Sequence, residues 1–233
     1  MIIAISQPTF LPYEGYFALI NKVEKFVLLD NVQFDKRSWQ QRNYLSINDN
    51  PKLITIPVIS KGKFNQNINQ VLIDYKHFDV DKFLSTIVFS YKREKYFEDF
   101  FSIIEKIFKK KHEFLCELNI NLIKEICAYL DIKTEILKSS EIRCTDKLKK
   151  TELLKYILLE MKGDIYYSTN GAKKYLGENK FFPDTSIEIK YFSYVDKLKS
   201  VEKKDVNLSI LDLIFKKGKR VKEKLNENFN LVT

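Results

Sequence analysis

The feature that most constrains the fold of this chain is a pair of short, wholly apolar runs near its start. The first run is Ile2 to Ser6, and the second is Phe26 to Leu29, directly before Asp30. Continuous apolar runs of about four to eight residues are typical of strands that are buried on both faces. Between them, residues Tyr16 to Lys25 show helical spacing. This strand–helix–strand order predicts an α/β fold with a largely parallel central sheet.

The rest of the chain continues the alternation of strand and helix patterns. Further strands are predicted at Lys52–Val58, Gln70–Tyr75, Thr134–Leu137, Asp164–Ser168 and Ile187–Phe192. Apolar residues at intervals of three and four predict several helices between residues 82 and 130. Other helices are predicted at Lys147–Met161, Gly171–Leu176 and Ser209–Phe215. Because no repeat or low-complexity linker interrupts the pattern, we interpret residues 1–233 as a single domain.

The apolar runs and the cysteines indicate the cellular compartment of the protein. No run reaches the ~20 apolar residues that a helix needs to cross a bilayer. The first strand leads into Gln7-Pro8 without a basic leader, which predicts a strand rather than a signal peptide. The three cysteines, Cys116, Cys127 and Cys144, match no zinc-binding spacing and favour buried thiols in a reducing compartment. We therefore expect a cytoplasmic protein.

The charge balance favours anionic partners. The formal net charge is +9, which attracts nucleic acid, nucleotide sugars, acidic carrier proteins and anionic lipid head groups alike. The sequence contains no Walker A loop, G-x-G-x-x-G, H-E-x-x-H or G-x-S-x-G motif. Both histidines lie beside lysines, so the sequence offers little support for a histidine-activated nucleophile. The candidate site residues therefore lie in less familiar patterns.

The first such pattern is the loop that follows the first predicted strand. Gln7, Tyr13 and Tyr16 lie there, at the sheet edge where open α/β folds bind ligands. Gly15 would let the backbone approach a ligand closely, and the next helix would offer free N–H groups to a phosphate. The alternative is a proline-stiffened loop whose aromatic side chains only cover the core. The loop by itself does not decide between these two interpretations.

The second pattern is a mixed set of polar side chains after the second predicted strand. Asp30 ends the strand, and the polar and aromatic candidates that follow it are Gln33, Lys36, Arg37, Trp39, Arg42 and Asn43. Arginine binds phosphate with paired hydrogen bonds, carboxamides bind hydroxyl groups, and an indole ring stacks on a sugar or base. A solvated basic loop is the alternative. The mixture of residue types favours a site for a phosphorylated or sugar ligand.

These two patterns together resemble a known family. The loop has the form Q-P-x-x-x-P-Y-x-G-Y-F, and the second segment has the form D-x-V-Q-F-x-K-R-x-W-x-x-R-N. Both look like the opening of the WbqC-like family of surface-polysaccharide biosynthesis proteins. Weaker similarities continue along nearly the whole chain, at residues 54–58, 166–172, 175–176, 209–213 and 218. A fainter likeness connects the opening strand and loop to nucleotidyltransferases, without the two histidines of their H-x-G-H motif.

The resemblance implies transfer of glycine or a similar aminoacyl group to a nucleotide-linked amino sugar in polysaccharide or O-antigen biosynthesis. Asp30 would orient or deprotonate the amine, and Gln7, Tyr13 and Asn43 would supply polar contacts. The pyrophosphate would be bound by Lys36, Arg37 and Arg42. Further substrate contacts are predicted at Gln33, Trp39, Tyr16, Ser168, Asn170 and Tyr175.

The sequence leaves the donor and the reaction class open. No cofactor or metal is firmly implied, and the donor could be a carrier-protein thioester, an aminoacyl-tRNA or an adenylate. An acidic carrier protein or a tRNA would then be a partner beside the nucleotide sugar. Two other functions remain as alternatives. They are a nucleotidyltransferase-like enzyme and a non-catalytic module that binds sugar nucleotides.

Overall fold

A mixed sheet forms the centre of the computed structural model, which describes residues 1–169, 182, 184–194 and 206–232. The strands in this part of the chain are β1 (Ile2–Ser6), β2 (Lys25–Leu28), β3 (Arg42–Ile47), β4 (Asn50–Thr55), β5 (Glu135–Lys138), β6 (Ile165–Thr169), β7 (Glu188–Tyr194) and β8 (Phe229–Val232). Six of them form the central sheet in the order β5-β2-β1-β6-β7-β8. All neighbours are parallel except β7 and β8. The predicted α/β fold with a largely parallel sheet is confirmed.

Helices surround this sheet. Those in the described residues are α1 (Glu14–Asn21), α2 (Val80–Tyr91), α3 (Phe97–Lys109), α4 (Leu115–Tyr129), α5 (Lys150–Glu160), α6 (Ile210–Lys217) and α7 (Val221–Glu227). Helices α2 to α4 confirm the helical region that the sequence predicted between residues 82 and 130. Among the described residues, no helix combines the length and the apolar character that crossing a membrane would require.

Both faces of the sheet are covered, which explains the unbroken apolar runs. Ile3 and Ile5 of β1 pack in one apolar cluster with Leu153 and Ile157 of α5. Ala4, which lies between them in sequence, belongs to the larger cluster that includes residues of the other helices. Successive strand residues point to opposite faces, so every residue of a strand with two covered faces must be apolar.

The order of the strands marks a particular place on the sheet. It reverses at β1, because β2 and β5 lie on one side of that strand and β6 and β7 on the other. Open α/β sheets bind ligands outside the carboxyl ends of the strands at such a reversal. The backbone N–H of Leu29 donates to the carbonyl of Ser6 at 2.8 Å. The segments that begin at Gln7 and Asp30 therefore leave the sheet side by side.

A hairpin outside the central sheet follows the second segment. The predicted strand Lys52–Val58 corresponds to β4, but its partner β3 was not predicted, and the two strands pair only with each other. Asn48 and Asp49 form the turn with φ angles of 52° and 59°. A turn with both central residues at positive φ matches the right-handed twist of a hairpin.

Of two other predictions, one is wrong and one concerns residues outside the described part of the chain. The predicted strand Gln70–Tyr75 is wrong, because this segment makes only isolated bridges, one to Val58 and one to Phe114. Val71 and Ile73 are buried alternately, as in a strand, but their neighbours come from different segments and no ladder forms. The predicted helix Gly171–Leu176 lies outside the described residues.

Candidate functional site

Asn43 of β3 holds the loop that follows β1. Its Nδ2 donates to the carbonyl oxygens of Phe10 at 3.2 Å and Leu11 at 2.8 Å. Leu11 has a φ of 41°, a left-handed conformation that costs about 1–3 kcal/mol and persists only where the surroundings impose it. The two hydrogen bonds from Asn43 therefore stabilise a loop shape that its own backbone does not favour.

Gln40 joins this loop to the segment that follows β2. Its Nε2 donates to Oε1 of Gln7 at 2.8 Å, and its Oε1 accepts from the backbone N–H of Asp35 at 3.2 Å. Nδ2 of Asn119, on α4, donates to the carbonyl of Gln40 at 2.8 Å and to that of Pro8 at 3.3 Å. Both loops thus form one hydrogen-bonded unit supported by α4.

Asp30 is buried just after β2, and the residue is 2% exposed. Its Oδ1 accepts from the backbone N–H of Ser140 at 2.8 Å and from the Ser139 hydroxyl at 2.9 Å. Its Oδ2 accepts from the Ser140 hydroxyl at 2.6 Å. A carboxylate has about four acceptor positions, and three are occupied. The structure therefore places Asp30 as the connection between the end of β2 and the turn after β5.

A cavity of about 230 Å³ opens between the two loops. Its walls are formed by Thr9, Pro12, Tyr13, Tyr16, Trp39, Asn43 and Asn207. Four of the predicted site residues thus share one pocket. Trp39 is 52% exposed, which places its ring at the opening. Because drug-sized ligands usually occupy ~300 Å³ or more, this cavity fits a single sugar ring or a small acyl group.

Two tyrosines of the pocket keep their protons. Burial raises the pKa of Tyr13, and the nearby carboxylate of Glu14 raises it further. Burial also raises the pKa of Tyr16 well above its usual value, and its hydroxyl donates to the carbonyl of Gln7 at 3.0 Å. A Cβ at Gly15 would collide with the Tyr13 ring. The sequence suggested that Gly15 leaves room for a ligand, whereas in the structure it leaves room for the Tyr13 ring. The protonated hydroxyl of Tyr13 can donate a hydrogen bond.

The predicted phosphate-binding residues do not line this cavity. Lys36, Arg37 and Gln33 are exposed on the segment that follows β2. Arg37 has a φ of 65°, and its backbone N–H donates to Oε1 of Gln41 at 3.1 Å. Arg42 is half-buried, and its Nε has no hydrogen-bond partner within the described residues. The structure thus separates an aromatic pocket from the exposed cations on the same loop.

The three later candidates are placed differently or not described. Ser168 is buried in β6, and its side chain forms a hydrogen bond with Tyr166. Tyr166 belongs to the apolar cluster on the α5 face, so Ser168 faces away from the side of α1 and does not line the cavity. Asn170 and Tyr175 lie outside the described residues.

The sequence did not single out Gln40, Asn119 or the serine pair Ser139-Ser140 as site residues. Gln40 lies between Trp39 and Arg42, in the polar segment from which the other site residues were predicted. Its position in that segment could therefore have identified it. Asn119 is fully buried on α4. A carboxamide that interrupts the apolar face of a helix indicates a buried hydrogen-bonding role, and this signal could have identified it.

Comparisons with known proteins bear on the whole of this region. The sequence model described as "WbqC-like protein family" matches residues 7–224. A relative from Mycobacterium tuberculosis, described as "Uncharacterized protein Rv1507c", is 31% identical over 221 residues, which cover 93% of this chain and 94% of the relative. No solved structure matches the chain. The family match includes both loops, the hairpin and the pocket residues described above. The chain belongs to the WbqC-like protein family.

Proposed function

We propose that this protein transfers an aminoacyl or acyl group, such as glycyl, to the amine of a nucleotide-linked amino sugar in polysaccharide or O-antigen biosynthesis. The supporting observation is the cavity of about 230 Å³ in which Tyr13, Tyr16, Trp39 and Asn43 meet. It lies between the loops that follow β1 and β2, at the edge where the strand order reverses. Ligands bind at such edges in open α/β sheets.

The sugar ring of the acceptor would occupy this cavity. Its apolar face would pack against Trp39, since an indole offers a large apolar surface at the border of water. Asn43 already donates to two carbonyls and accepts from the N–H of Tyr44 at 2.8 Å, so it shapes the wall more than it binds substrate. The hydroxyl group of Thr9 is then the polar contact for the sugar, and that of Tyr13 remains available to the acyl group.

The nucleotide would extend from the cavity toward the solvent. Lys36 and Arg37 are exposed on the loop that carries Trp39. Cations on one side of an open pocket suit a pyrophosphate, because arginine and lysine bind phosphate oxygens through charge-assisted hydrogen bonds. This arrangement divides the acceptor between an aromatic pocket for the sugar and an exposed basic loop for the phosphates.

The reaction would consist of attack by the sugar amine on the carbonyl of an activated acyl group. A C–N bond forms, the bond to the leaving group breaks, and the proton lost by the amine passes to the leaving group. Tyr13 can stabilise the oxyanion that develops, because burial raises its pKa and keeps the hydroxyl as a donor. Losing one such donor typically costs about 10²–10³-fold in rate.

Asp30 has an orienting role in this proposal. Its carboxylate is held by Ser139 and Ser140 and does not line the cavity. It fixes the point at which the loop bearing Trp39 leaves the sheet. Gln7 acts similarly, because its side chain is joined to Gln40 in that loop.

A transfer assay tests the proposal. Nucleoside-diphosphate amino sugars are incubated with the protein and an activated glycyl donor, offered as an adenylate, a thioester or an ester of RNA, and products are identified by mass spectrometry. We expect an amide of the amino sugar that requires both donor and protein, and a 10²–10³-fold lower kcat with unchanged acceptor binding for Tyr13→Phe.

Two results would overturn the proposal. Release of pyrophosphate from a nucleoside triphosphate and a sugar phosphate, without amide formation, would mark a nucleotidyltransferase. Tight binding of the sugar nucleotide with no turnover of any donor would mark a non-catalytic binding module.

A further inference from the structure

Three neighbouring loops near the carboxyl edge of the sheet form a surface that we call the three-loop surface. It consists of residues 31–42 after β2, residues 60–66 after β4 and residues 143–150 after β5. The backbone N–H of Phe34 donates to the carbonyl of Gln66 at 2.8 Å. Nδ2 of Asn31 donates to the Thr145 hydroxyl at 3.0 Å. The first loop is therefore hydrogen-bonded to each of the other two.

This surface carries most of the net charge of the chain. Its cations are Lys36, Arg37, Arg42, Lys61, Lys63, Arg143, Lys147, Lys149 and Lys150, and its acids are Asp35 and Asp146. Nine cations and two acids give a net charge of +7, compared with +9 for the whole chain. All of these cations except Arg42 are exposed. Within the described part of the chain, none of the exposed ones forms a salt bridge.

Exposed aromatic rings stand among these cations. Phe64 is 87% exposed and follows Lys63, and Trp39 is 52% exposed and lies two residues after Arg37. Proteins that bind single-stranded nucleic acid combine a positively charged track for the backbone with aromatic rings on which bases stack. An acidic protein partner would satisfy the charge, but it offers no unstacked bases for Phe64. The combination therefore favours a single-stranded polynucleotide.

We infer that the three-loop surface binds the single-stranded end of an RNA, and that the donor in the transfer is an aminoacyl ester on that end. This inference rests on the proposed function. Trp39 connects the two sites, because it lines the sugar cavity and is also half-exposed on the loop that carries Lys36 and Arg37. Lys36 and Arg37 are left for the pyrophosphate of the acceptor, so the cations of residues 60–66 and 143–150 would bind the RNA, with its end at the opening of the cavity beside Trp39.

The transfer step needs only the amino sugar and the aminoacyl ester. The amine nitrogen of the sugar attacks the ester carbonyl and forms the C–N bond of the amide. The C–O bond between the carbonyl carbon and the terminal ribose breaks. The proton lost by the amine passes to the ribose oxygen, which leaves as a hydroxyl group.

RNA binding without any sugar tests the inference. Fluorescence anisotropy is measured with a labelled single-stranded RNA and with a blunt duplex of the same sequence, over a range of salt concentrations. We expect the single strand to bind more tightly. The double variant Lys61→Ala/Lys63→Ala should lower the slope of log affinity against log salt by about 1.4, since each phosphate contact to a single strand contributes about 0.7. Phe64→Ala should weaken binding by about 5- to 150-fold at an unchanged slope.

A second surface provides matched controls. Phe89 is 68% exposed near the end of α2, and Lys92 and Arg93 are exposed directly after that helix. The variants Phe89→Ala and Lys92→Ala/Arg93→Ala remove the same ring type and the same charge outside the three-loop surface. We expect both controls to bind RNA like the wild type. Equal losses in control and test variants would show non-specific attraction and would overturn the inference.

The remaining outcomes separate this inference from the proposed function. If polyglutamate binds more tightly than RNA and the same variants weaken it, the surface fits an acidic carrier protein and the inference is overturned. Absent RNA binding, with amino-sugar binding retained, overturns the inference alone. RNA binding that depends on Phe64 and Lys61, without any amino-sugar binding, supports the RNA site and overturns the proposed function.

Discussion

Single buried polar side chains determine the shape of the candidate site. Asn43 and Asn119 each donate to backbone carbonyls of another segment, Gln40 donates to the side chain of Gln7, and Asp30 binds the turn after β5. Burying a polar group costs free energy unless the group is hydrogen-bonded. The partners of these side chains therefore identify the segments that must pack together. Tyr13 and Trp39 line the pocket that this framework creates.

The hydrogen bonds of Asp30 allow a test of its role. In Asp30→Asn, the amide oxygen can still accept from Ser139 and from the N–H of Ser140, and the amide nitrogen can donate to the Ser140 hydroxyl. We expect this variant to remain folded and to keep transfer activity within about tenfold. Asp30→Ala leaves buried donors unpaired, at a cost of about 1–3 kcal/mol, and should melt at a lower temperature.

Thermal melting and kcat measured on both variants decide the question. A folded Asp30→Asn protein that loses about 10²–10⁴-fold in rate would show that Asp30 acts as a general base, which contradicts an orienting role.

The cysteines differ in environment, and their reactivity should differ accordingly. Cys116 and Cys127 are buried as expected, whereas the expectation of a buried thiol is wrong for Cys144, which is exposed. Burial raises the pKa of Cys116 to about 12, helped by the charge of Asp30, and burial raises that of Cys127 to about 12. Because the thiolate is the reactive form, we expect a chromogenic disulfide reagent to label one thiol quickly in the native protein and all three after denaturation. Rapid labelling of two or three native thiols would contradict this assignment.

At the scale of elements, the site is built from loops that the hairpin and α4 hold in place. The loop after β1 is held by Asn43 at the start of the hairpin and by Asn119 on α4. Neither contact is local in sequence, since Asn119 lies 111 residues from Pro8. The loop therefore acquires its shape only when the hairpin and α4 have packed against it.

This dependence predicts the effect of Asn43→Ala. The change leaves the carbonyls of Phe10 and Leu11 without their donor. The hydrogen bonds that offset the left-handed conformation of Leu11 are then lost. We expect a loss of about 2–3 kcal/mol in the free energy of unfolding, measured by urea denaturation. Asn50→Ala is the matched control, because Asn50 is exposed on the same hairpin and should change stability by less than ~0.5 kcal/mol. Equal stability of the two variants would contradict the role given to Asn43.

At the scale of the whole molecule, strands covered on both faces and long amphipathic helices were predictable from sequence, whereas the bounds and the partner of the exposed strand β4 were not. β1 and β2 were predicted because both of their faces are covered, and α2 to α4 because their apolar faces repeat over several turns. β4 is exposed at nearly every position, so it lacks the alternation that would have shown its length and its partner. Gln70–Tyr75 was misassigned because burial alternates there without a continuous ladder.

The position of the candidate cavity could be predicted from the sequence, but the side chains that line it could not. Both loops follow strands that end at one sheet edge, which the strand–helix–strand order indicated. Which side chains face the cavity depends on contacts between distant segments, such as that of Asn119 with Gln40, 79 residues apart. Sequence spacing therefore could not separate Tyr13 and Trp39, which line the cavity, from Lys36, Arg37 and Asp30, which do not.

The most direct test of the central claim uses the fluorescence of Trp39, the single tryptophan of the chain. Its ring lines the cavity and is half-exposed, so a sugar that packs on it must change its emission. We predict a saturable change on titration with a nucleoside-diphosphate amino sugar, with a midpoint that agrees with the Kd from calorimetry, and a much smaller change with the nucleoside diphosphate alone. Binding by calorimetry without any change in Trp39 emission would contradict the assignment of this cavity as the sugar site.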